Sequence, residues 1–455
     1  MSGRLLAIEC RRTIGPWLLP FMVALPWFSA GSNPLPTWFW AESSVVVRDA
    51  ALYIGPLIAG AAAWMAGRER RRGLGDLLAT TPRHRWSRTL TLWAATAVWG
   101  LLAYAVFGLY VIAQTATRAM WGTPVLWPML VGLLSIAMWA AIGYALGEWL
   151  PGHVVPAFVA IGVFAAQVAV GQADAWFAFL SPAARVDATV WYGVRPFVAV
   201  PQGLFLAGVL LLALSGLAHS GPAHGERWYR LARLTAPLAL ALIVGGALLI
   251  RRDAPGGGTR QLRREPPPSG SHVVAYTPVC TTDPLPVCIH PAYQPWLRES
   301  ASAINLLAAP LLDLPGTPSR AEQGPPSADR PAGVVGFTLN LYDPRQPRQT
   351  SYYPVVGVDI AIALVWDQSV PYGGPARRGA EAQQALALWL TVRADATPEV
   401  VPGLLAVRGQ QLRKPANVIA ATRRFAALDA PQQRQWLRAH YADVRQGMIT
   451  LEELP

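Results

Sequence analysis

The chain has 455 residues and a formal net charge of +12, yet it is 53% hydrophobic and only 14% charged. Soluble domains carry about 25% charged residues, so an ordinary water-soluble globule is excluded, and the 19 tryptophans suit indoles held at lipid headgroup depth. The arginines concentrate between apolar segments and form no basic-aromatic motif, which argues for membrane topology and anionic lipid and against nucleic acid.

The N-terminal half is predicted to hold seven apolar segments, at 14–31, 49–67, 89–115, 124–150, 154–172, 198–218 and 235–250. A spanning helix needs about 20 mostly apolar residues. Pro16, Pro20 and Pro26 interrupt the first segment. The last is short unless the helix before it continues into it.

Orientation follows from arginines in the short loops. With a cytoplasmic N-terminus, thirteen face the cytoplasm: Arg4, Arg11 and Arg12, seven within 68–88, and Arg227, Arg230 and Arg233. Four face out: Arg48, Arg118, Arg185 and Arg195. The bias is strong, and seven crossings would leave residues 251–455 outside the cell. Were the first segment instead a cleaved signal peptide, for which the positive start and Ser29-Ala30-Gly31 are a loose fit, the 68–88 loop would still lie inside. Arg251 and Arg252 sit on the wrong side for this bias.

The apolar stretch 173–197 carries Trp176, Phe177, Phe179, Trp191 and Tyr192. On its residues alone it reads as an aromatic interfacial loop. Residues 251–271 form a linker with Gly256-Gly257-Gly258 and Pro266-Pro267-Pro268, too poor in apolar side chains to fold alone.

From 272 to 455 the pattern is that of a soluble α+β domain. Strands are expected at 272–276, 334–342 and 355–366. Helices are expected at 295–313, 380–393, 416–428 and 430–446, the last opened by Asp429 and Pro431 and stopped by Gly447. Residues 316–333 read as a loop. Cys280 and Cys288, with seven residues between them, either form a small disulfide-closed loop, as suits an extracytoplasmic domain, or stay as two free thiols. Zinc pairs want two to four intervening residues and further ligands, so no metal site is expected. His290 reads as a structural polar residue, and Cys10 as cytoplasmic and reduced.

Catalytic signatures are missing from the sequence. There is no His-Glu-x-x-His and no Gly-x-Ser-x-Gly. The one lysine, Lys414, precedes Pro415, whereas a phosphate-cradling loop needs Gly-Lys-Ser/Thr. The chain cannot by itself be a P-loop ATPase. Few charges lie within the predicted spans, Glu148 among them, which argues against proton-coupled transport.

The 68–88 loop, RERRRGLGDLLATTPRHRWSR, holds Leu74, Leu77 and Leu78 on one helical face. Thr81 can cap the helix that follows, with Pro82 at its first position. On pattern alone the loop is either a solvated positive-inside connection or a docking element. Glu69-Arg70, Gly73, Leu77-Leu78 and Thr80-Thr81-Pro82 resemble the cytoplasmic loop between the second and third spans of ABC-2 type transporter permeases. That loop reads E-R-x-x-G-x-x-x-L-L-x-(S/T)-(T/S)-P. Residues 1–13 look like the interfacial helix that precedes the first span in that family. The likeness covers residues 1–220, and it implies that 173–197 is a re-entrant element buried in protein, the alternative to the interfacial loop read above.

The resemblance implies a membrane all-α bundle of six ABC-2-like spans, here followed by an amphipathic segment and seventh span at 221–250, the linker at 251–271, and the extracytoplasmic α+β domain at 272–455. It implies a plasma-membrane permease subunit of an ATP-dependent exporter and no enzyme activity of its own. ATP would be bound by a separate subunit, and the chain itself would need no cofactor. Two copies, or one copy with a sibling permease, would form the pathway among membrane lipids. Leu74, Leu77 and Leu78 would form the docking ridge, with Glu69, Arg70 and Asp76 as polar contacts beside Thr81 and Pro82. The run Arg70–Arg72 and the pair Leu74-Gly75 depart from the family pattern. The alternative is a membrane-anchored extracytoplasmic sensor or binding protein without transport activity.

Overall fold

A computed structural model describes residues 3–31, 39–73, 85–150, 152–173, 176–184, 190–194, 196–219, 226–253, 271–273, 275–324, 333–337, 360–366, 379–393 and 415–455. It divides into two compact units, Met1–Val274 and Ala275–Pro455.

The first unit is a helical bundle. Helices α1 (Gly3–Arg12) and α2 (Gly15–Gly31) are separated at Thr13, whose hydroxyl accepts from the Gly15 amide. Pro20 and Pro26 lie inside α2. Next come α3 (Trp40–Asp49) and α4 (Ala51–Ala66), then the single turn α5 (Arg68–Arg71). Ala50 keeps a right-handed helical conformation, so α3 and α4 form one 27-residue apolar helix from Trp40 to Ala66. Helices α6 (Arg85–Arg118), α7 (Leu126–Trp149), α8 (Val155–Gly171), α9 (Pro196–His219) and α10 (Glu226–Asp253) complete the bundle.

Among the described residues, five helices are apolar and long enough to cross a membrane: Trp40–Ala66, Ser87–Arg118, Leu126–Trp149, Val198–Leu217 and Leu234–Arg252. The chain is therefore of membrane type. The segments predicted at 14–31 and 154–172 are helices of 17 residues each. The last predicted span does continue from the helix before it, as the 28-residue α10. Exposed Trp127 and Trp149 bracket α7, as residues at two lipid interfaces would.

Lipid supplies no hydrophobic drive for helix association, so small residues and close contact must do it. A Cβ on Gly143 or Gly147 of α7 would fall into the backbone of α4, 2.6 Å from the Cα of Ala59 and of Ala63 respectively. The matching order of these pairs makes α4 and α7 parallel. Helices α9 and α10 pack antiparallel: Gly208 faces the Ala239 carbonyl, Gly246 faces the Pro201 carbonyl, and Ser215 shares a 2.8 Å hydrogen bond with Thr235. Ile54, Ile58, Phe107 and Ile136 fill a buried cluster of this bundle.

The span predicted to start at 49 begins nearer Trp40, which is a correction. Arg48, assigned above to an outer loop, lies inside the helix and is 3% exposed. Glu42, Arg48 and Asp49 suppress the apolar signal there. Strand β1 (Tyr192–Val194) pairs antiparallel with β2 (Ser271–Val273), so the strand expected at 272–276 joins the first unit.

In the second unit a four-stranded sheet runs β3 (Val279–Cys280), β4 (Val287–Ile289), β5 (Arg320–Gln323), β6 (Val334–Phe337). The first pair is antiparallel and the others parallel. Strand β5 lies within the predicted loop 316–333. Its sequence Arg-Ala-Glu-Gln has no apolar run, but its partners bury Ala321 and Gln323.

Helix α11 (Leu297–Ala308) packs on β4, and Asn305 bonds both the amide and the carbonyl of Leu285. Residues 360–365 form a helix, α12, where a strand is predicted. The run Ile-Ala-Ile-Ala-Leu-Val carries no period, so burial on all sides leaves its type open to tertiary packing. The Tyr441 hydroxyl donates to Leu364 O at 2.7 Å. Helices α13 (Ala380–Arg393), α14 (Pro415–Ala427) and α15 (Ala430–Arg445) lie close to their predicted bounds. Asp429 and Gln432 cap α15 reciprocally.

The α4–α7 contact yields a stability test. Gly143→Ala should cost about 1–3 kcal/mol by overpacking and lower the thermal midpoint of the purified chain. Gly162→Ala, where nothing lies within 4 Å of the added carbon, should leave it unchanged.

Candidate functional site

Three polar clusters stand out, two at opposite ends of the helical unit and one in the second unit. The first lies at the base of the 68–88 loop. Helix α4 ends at Gly67 and continues into α5, whose four residues are Arg-Glu-Arg-Arg. Gly73 then takes a left-handed φ of +64° and donates its amide to Arg70 O, closing the turn.

Each α5 side chain reaches a different helix. Arg68 pairs with Glu9 of α1 at 3.0 Å, both side chains being less than one-fifth exposed. Glu69 pairs with Arg88 of α6 at 3.0 Å. Arg70 donates to Glu148 O at the end of α7. Arg71 folds back over the Trp64 ring, 3.8 Å from its centroid, and donates to Trp64 O. A single exposed pair is worth little, but together these contacts tie α1, α4, α6 and α7 to one turn. Of the docking residues expected from the sequence, Glu69 and Arg70 belong to this base. Leu74, Asp76, Leu77, Leu78, Thr81 and Pro82 lie outside the described residues.

The second cluster sits at the other end of α3–α4. Arg48 donates to the Asp49 carboxylate at 2.8 Å and to Ala184 O. Ser43 accepts from the Thr115 hydroxyl of α6 at 2.8 Å, and Ser44 accepts from the Val125 amide at 3.0 Å. Ala184 ends the segment that follows α8, where a 3₁₀ turn spans Trp176–Leu180.

This segment is non-helical backbone buried in protein. Ala178, Phe179, Ser181 and Ala184 are all buried. Gln202 of α9 donates to Ser181 O at 2.7 Å, and Ser181 donates to Gln167 O of α8 at 3.3 Å. Such an arrangement satisfies the carbonyls that a helix would otherwise pair internally. Arg48 and Gln202 were not singled out from the sequence. The available signal was a lone arginine and an isolated glutamine beside apolar runs.

The third cluster surrounds a disulfide. Cys280 and Cys288 sit opposite each other across β3 and β4 and are bonded. His290 follows directly and is fully buried. Its Nδ1 accepts from the Ala292 amide at 3.1 Å, capping the 3₁₀ turn Pro291–Trp296. Its own amide donates to Gln323 Oε1 at 2.9 Å, and its ring lies 4.6 Å from that of Tyr276. Burial pushes the imidazole down to about 4, so it is neutral and acts as a cap. Cys10, the free cysteine, is half-buried in α1, and burial pushes its thiol up.

No family model, no curated protein and no solved structure matches the chain.

Both polar ends of these units can be probed. Arg48→Met leaves Ala184 O without its guanidinium. An Ala184→Cys reporter in a Cys10→Ala background should then react with a maleimide about tenfold faster than with Arg48 intact, since breaking a buried charged contact is costly. For His290 the unfolded chain takes up a proton below pH about 6.5 that the folded site refuses down to about 4. Stability is thus full above that window and falls as pH drops through it, by at most about 1.4 kcal/mol per unit. Hydrogen exchange around 287–296 should show this loss. His290→Asn, a cap that does not titrate, should flatten it.

Proposed function

We propose that the chain is the membrane permease subunit of an ABC-2 type exporter, carrying an added C-terminal domain outside the cell. A separate ATP-binding subunit docks on the 68–88 loop. The observation that carries this reading is the convergence of Glu9–Arg68, Glu69–Arg88 and Arg70–Glu148 O on the turn that opens that loop. A force applied to the loop would reach four helices through contacts only one side chain long. A merely solvated loop has no need of them.

The motor residues are then Leu74, Leu77 and Leu78 as an apolar ridge, with Asp76, Thr81 and Pro82 completing the loop. Glu69 and Arg70 hold its base. Nucleotide chemistry belongs to the partner, since no phosphate-binding lysine loop exists in this sequence. Closure of the partner's two nucleotide sites would pull on a pair of such loops, in two copies of this chain or in this chain and a sibling. The pull would tilt α4 against α6 and α7.

Strand pairing supports the two crossings, by α9 and α10, that this reading needs. Helix α9 leaves the end of the bundle where β1 lies, and α10 returns antiparallel to it. The β1–β2 pairing then joins the residues after α10 to that same end. A seventh crossing accounts for this return. Disulfide bonding of Cys280 to Cys288 agrees with an oxidising compartment.

Co-expression with an ATP-binding cassette subunit tests the reading. The pair should co-purify, and replacing Leu74, Leu77 and Leu78 by Asp should reduce complex recovery at least tenfold while the chain remains folded. A complex that survives the triple change would remove the docking assignment.

A further inference from the structure

Helix α1 has two unlike faces. At about 100° per residue, Arg4, Ile8, Arg11 and Arg12 fall within one arc of about 100°, and all four are exposed. Glu9, the one acid of this helix, lies outside that arc and is held by Arg68 at 3.0 Å. Farther round, Cys10 O accepts from Trp99 Nε1 of α6 at 3.0 Å. The back of α1 is thus bonded to the bundle. Its front carries three guanidinium groups with no ion pair or hydrogen bond among the described residues.

The depth of this front follows from its neighbours. Arg68 stands one turn past Trp64, an exposed indole that lies under the Arg71 guanidinium. Arg70 reaches Glu148 O, beside the exposed Trp149. Trp17 opens the outward face of α2 and is 78% exposed. Phe21, Leu25 and Phe28 continue that face at helical spacing, all of them exposed. Exposed indoles at the ends of apolar helices mark the headgroup layer. Glu9 is bonded to Arg68 next to these indoles, and Arg11 and Arg12 lead directly into α2. The last turn of α1 therefore lies in that layer.

An acidic protein would have to enter the headgroup layer to reach this face. Lipid phosphates are already there. An arginine fork takes phosphate oxygens in pairs, and Ile8, between the arginines, suits the acyl boundary. A zwitterionic headgroup brings its own cation, which competes with the guanidinium. An anionic headgroup brings none.

We propose that this face of α1 binds an anionic phospholipid surface, and that the contact steadies the base of the 68–88 loop through Glu9 and Arg68. The lipid contact stands apart from the exporter reading. Its use in presenting the loop to an ATP-binding subunit rests on that reading.

Hydrogen exchange on the purified full chain, without any ATP-binding subunit, tests both parts. Nanodiscs of phosphatidylcholine alone are compared with discs in which about one-third of the lipid is phosphatidylglycerol. The amides of α1 should exchange about tenfold more slowly in the anionic discs, since each arginine near such a surface favours contact about fivefold. Those of Gly67–Gly73 should slow with them. Changing Arg4, Arg11 and Arg12 together to Gln should remove both effects and leave the thermal midpoint in phosphatidylcholine in place. Glu9→Gln should keep the effect on α1 and lose the effect on the turn. Equal exchange of α1 in the two discs would overturn the lipid surface. So would a difference that survives the triple change, or the same slowing by inorganic phosphate added to phosphatidylcholine discs. A turn that does not respond in the unaltered chain, or still responds in Glu9→Gln, would overturn the link to the loop. These outcomes are independent of ATPase docking, which is read by co-purification.

Discussion

Helix α4 has no thickness to spare where it crosses α7, and most of the first unit is arranged around that fact. Gly143 and Gly147 bring the two backbones together at Ala59 and Ala63. On the neighbouring side Gly60 lies against α8, 3.0 Å from Pro156 O if it bore a Cβ. A helix so enclosed cannot bend locally without separating from both neighbours. With α3 it forms a continuous run of 27 residues, about 40 Å long at about 1.5 Å per residue, with Pro56 inside it.

Three polar features of the first unit lie on this helix or just past its end. Arg48 sits near one end, the Pro56–Gly55 break in the middle, and Arg68–Arg71 just past the other end. Charges lie towards the ends: Arg48 is buried against Asp49 and Ala184 O, and Arg68 and Glu69 are ion-paired. In the middle the polar atoms are neutral. The Leu52 carbonyl freed by Pro56 meets the Gln167 amide instead of a charge. This grading follows the energetic cost of polar groups with depth.

Much of this was legible in the sequence, for physical reasons that can be named. Long apolar runs predicted the helices of the bundle because nothing else satisfies a backbone in lipid. The start of α3 was missed because Glu42, Arg48 and Asp49 break the apolar window, and only tertiary partners make them tolerable. The helix at 360–365 was taken for a strand because an unbroken apolar run has no period. The strand at Arg320–Gln323 was hidden by its polar side chains. In contrast, Asp429 announced α15 through chemistry that is entirely local. The loop base divides the same way. Glu69 and Arg70 were legible from a short motif, but their surroundings were not. The Arg68–Glu9 and Arg70–Glu148 contacts join residues 59 and 78 positions apart, and no local pattern encodes such pairs.

The arginine count bears on sidedness, and the structure alters its terms. Arg48 is buried between helices and belongs in no loop tally, so the excess on the side of the 68–88 loop grows. Arg251 and Arg252, which opposed the bias, occupy the last turn of α10. There they face the unpaired carbonyls and partial negative charge of a helix C-terminus. Their presence has a local electrostatic cause, independent of which side of the membrane they occupy. With one opposing arginine removed from the count and two others explained locally, the arginine bias meets less opposition along the chain, and the β1–β2 pairing independently brings the residues after α10 back to the end where α9 begins. The two lines are separate: one is the distribution of charge along the chain, the other the hydrogen-bonded register of Tyr192–Val194 with Ser271–Val273.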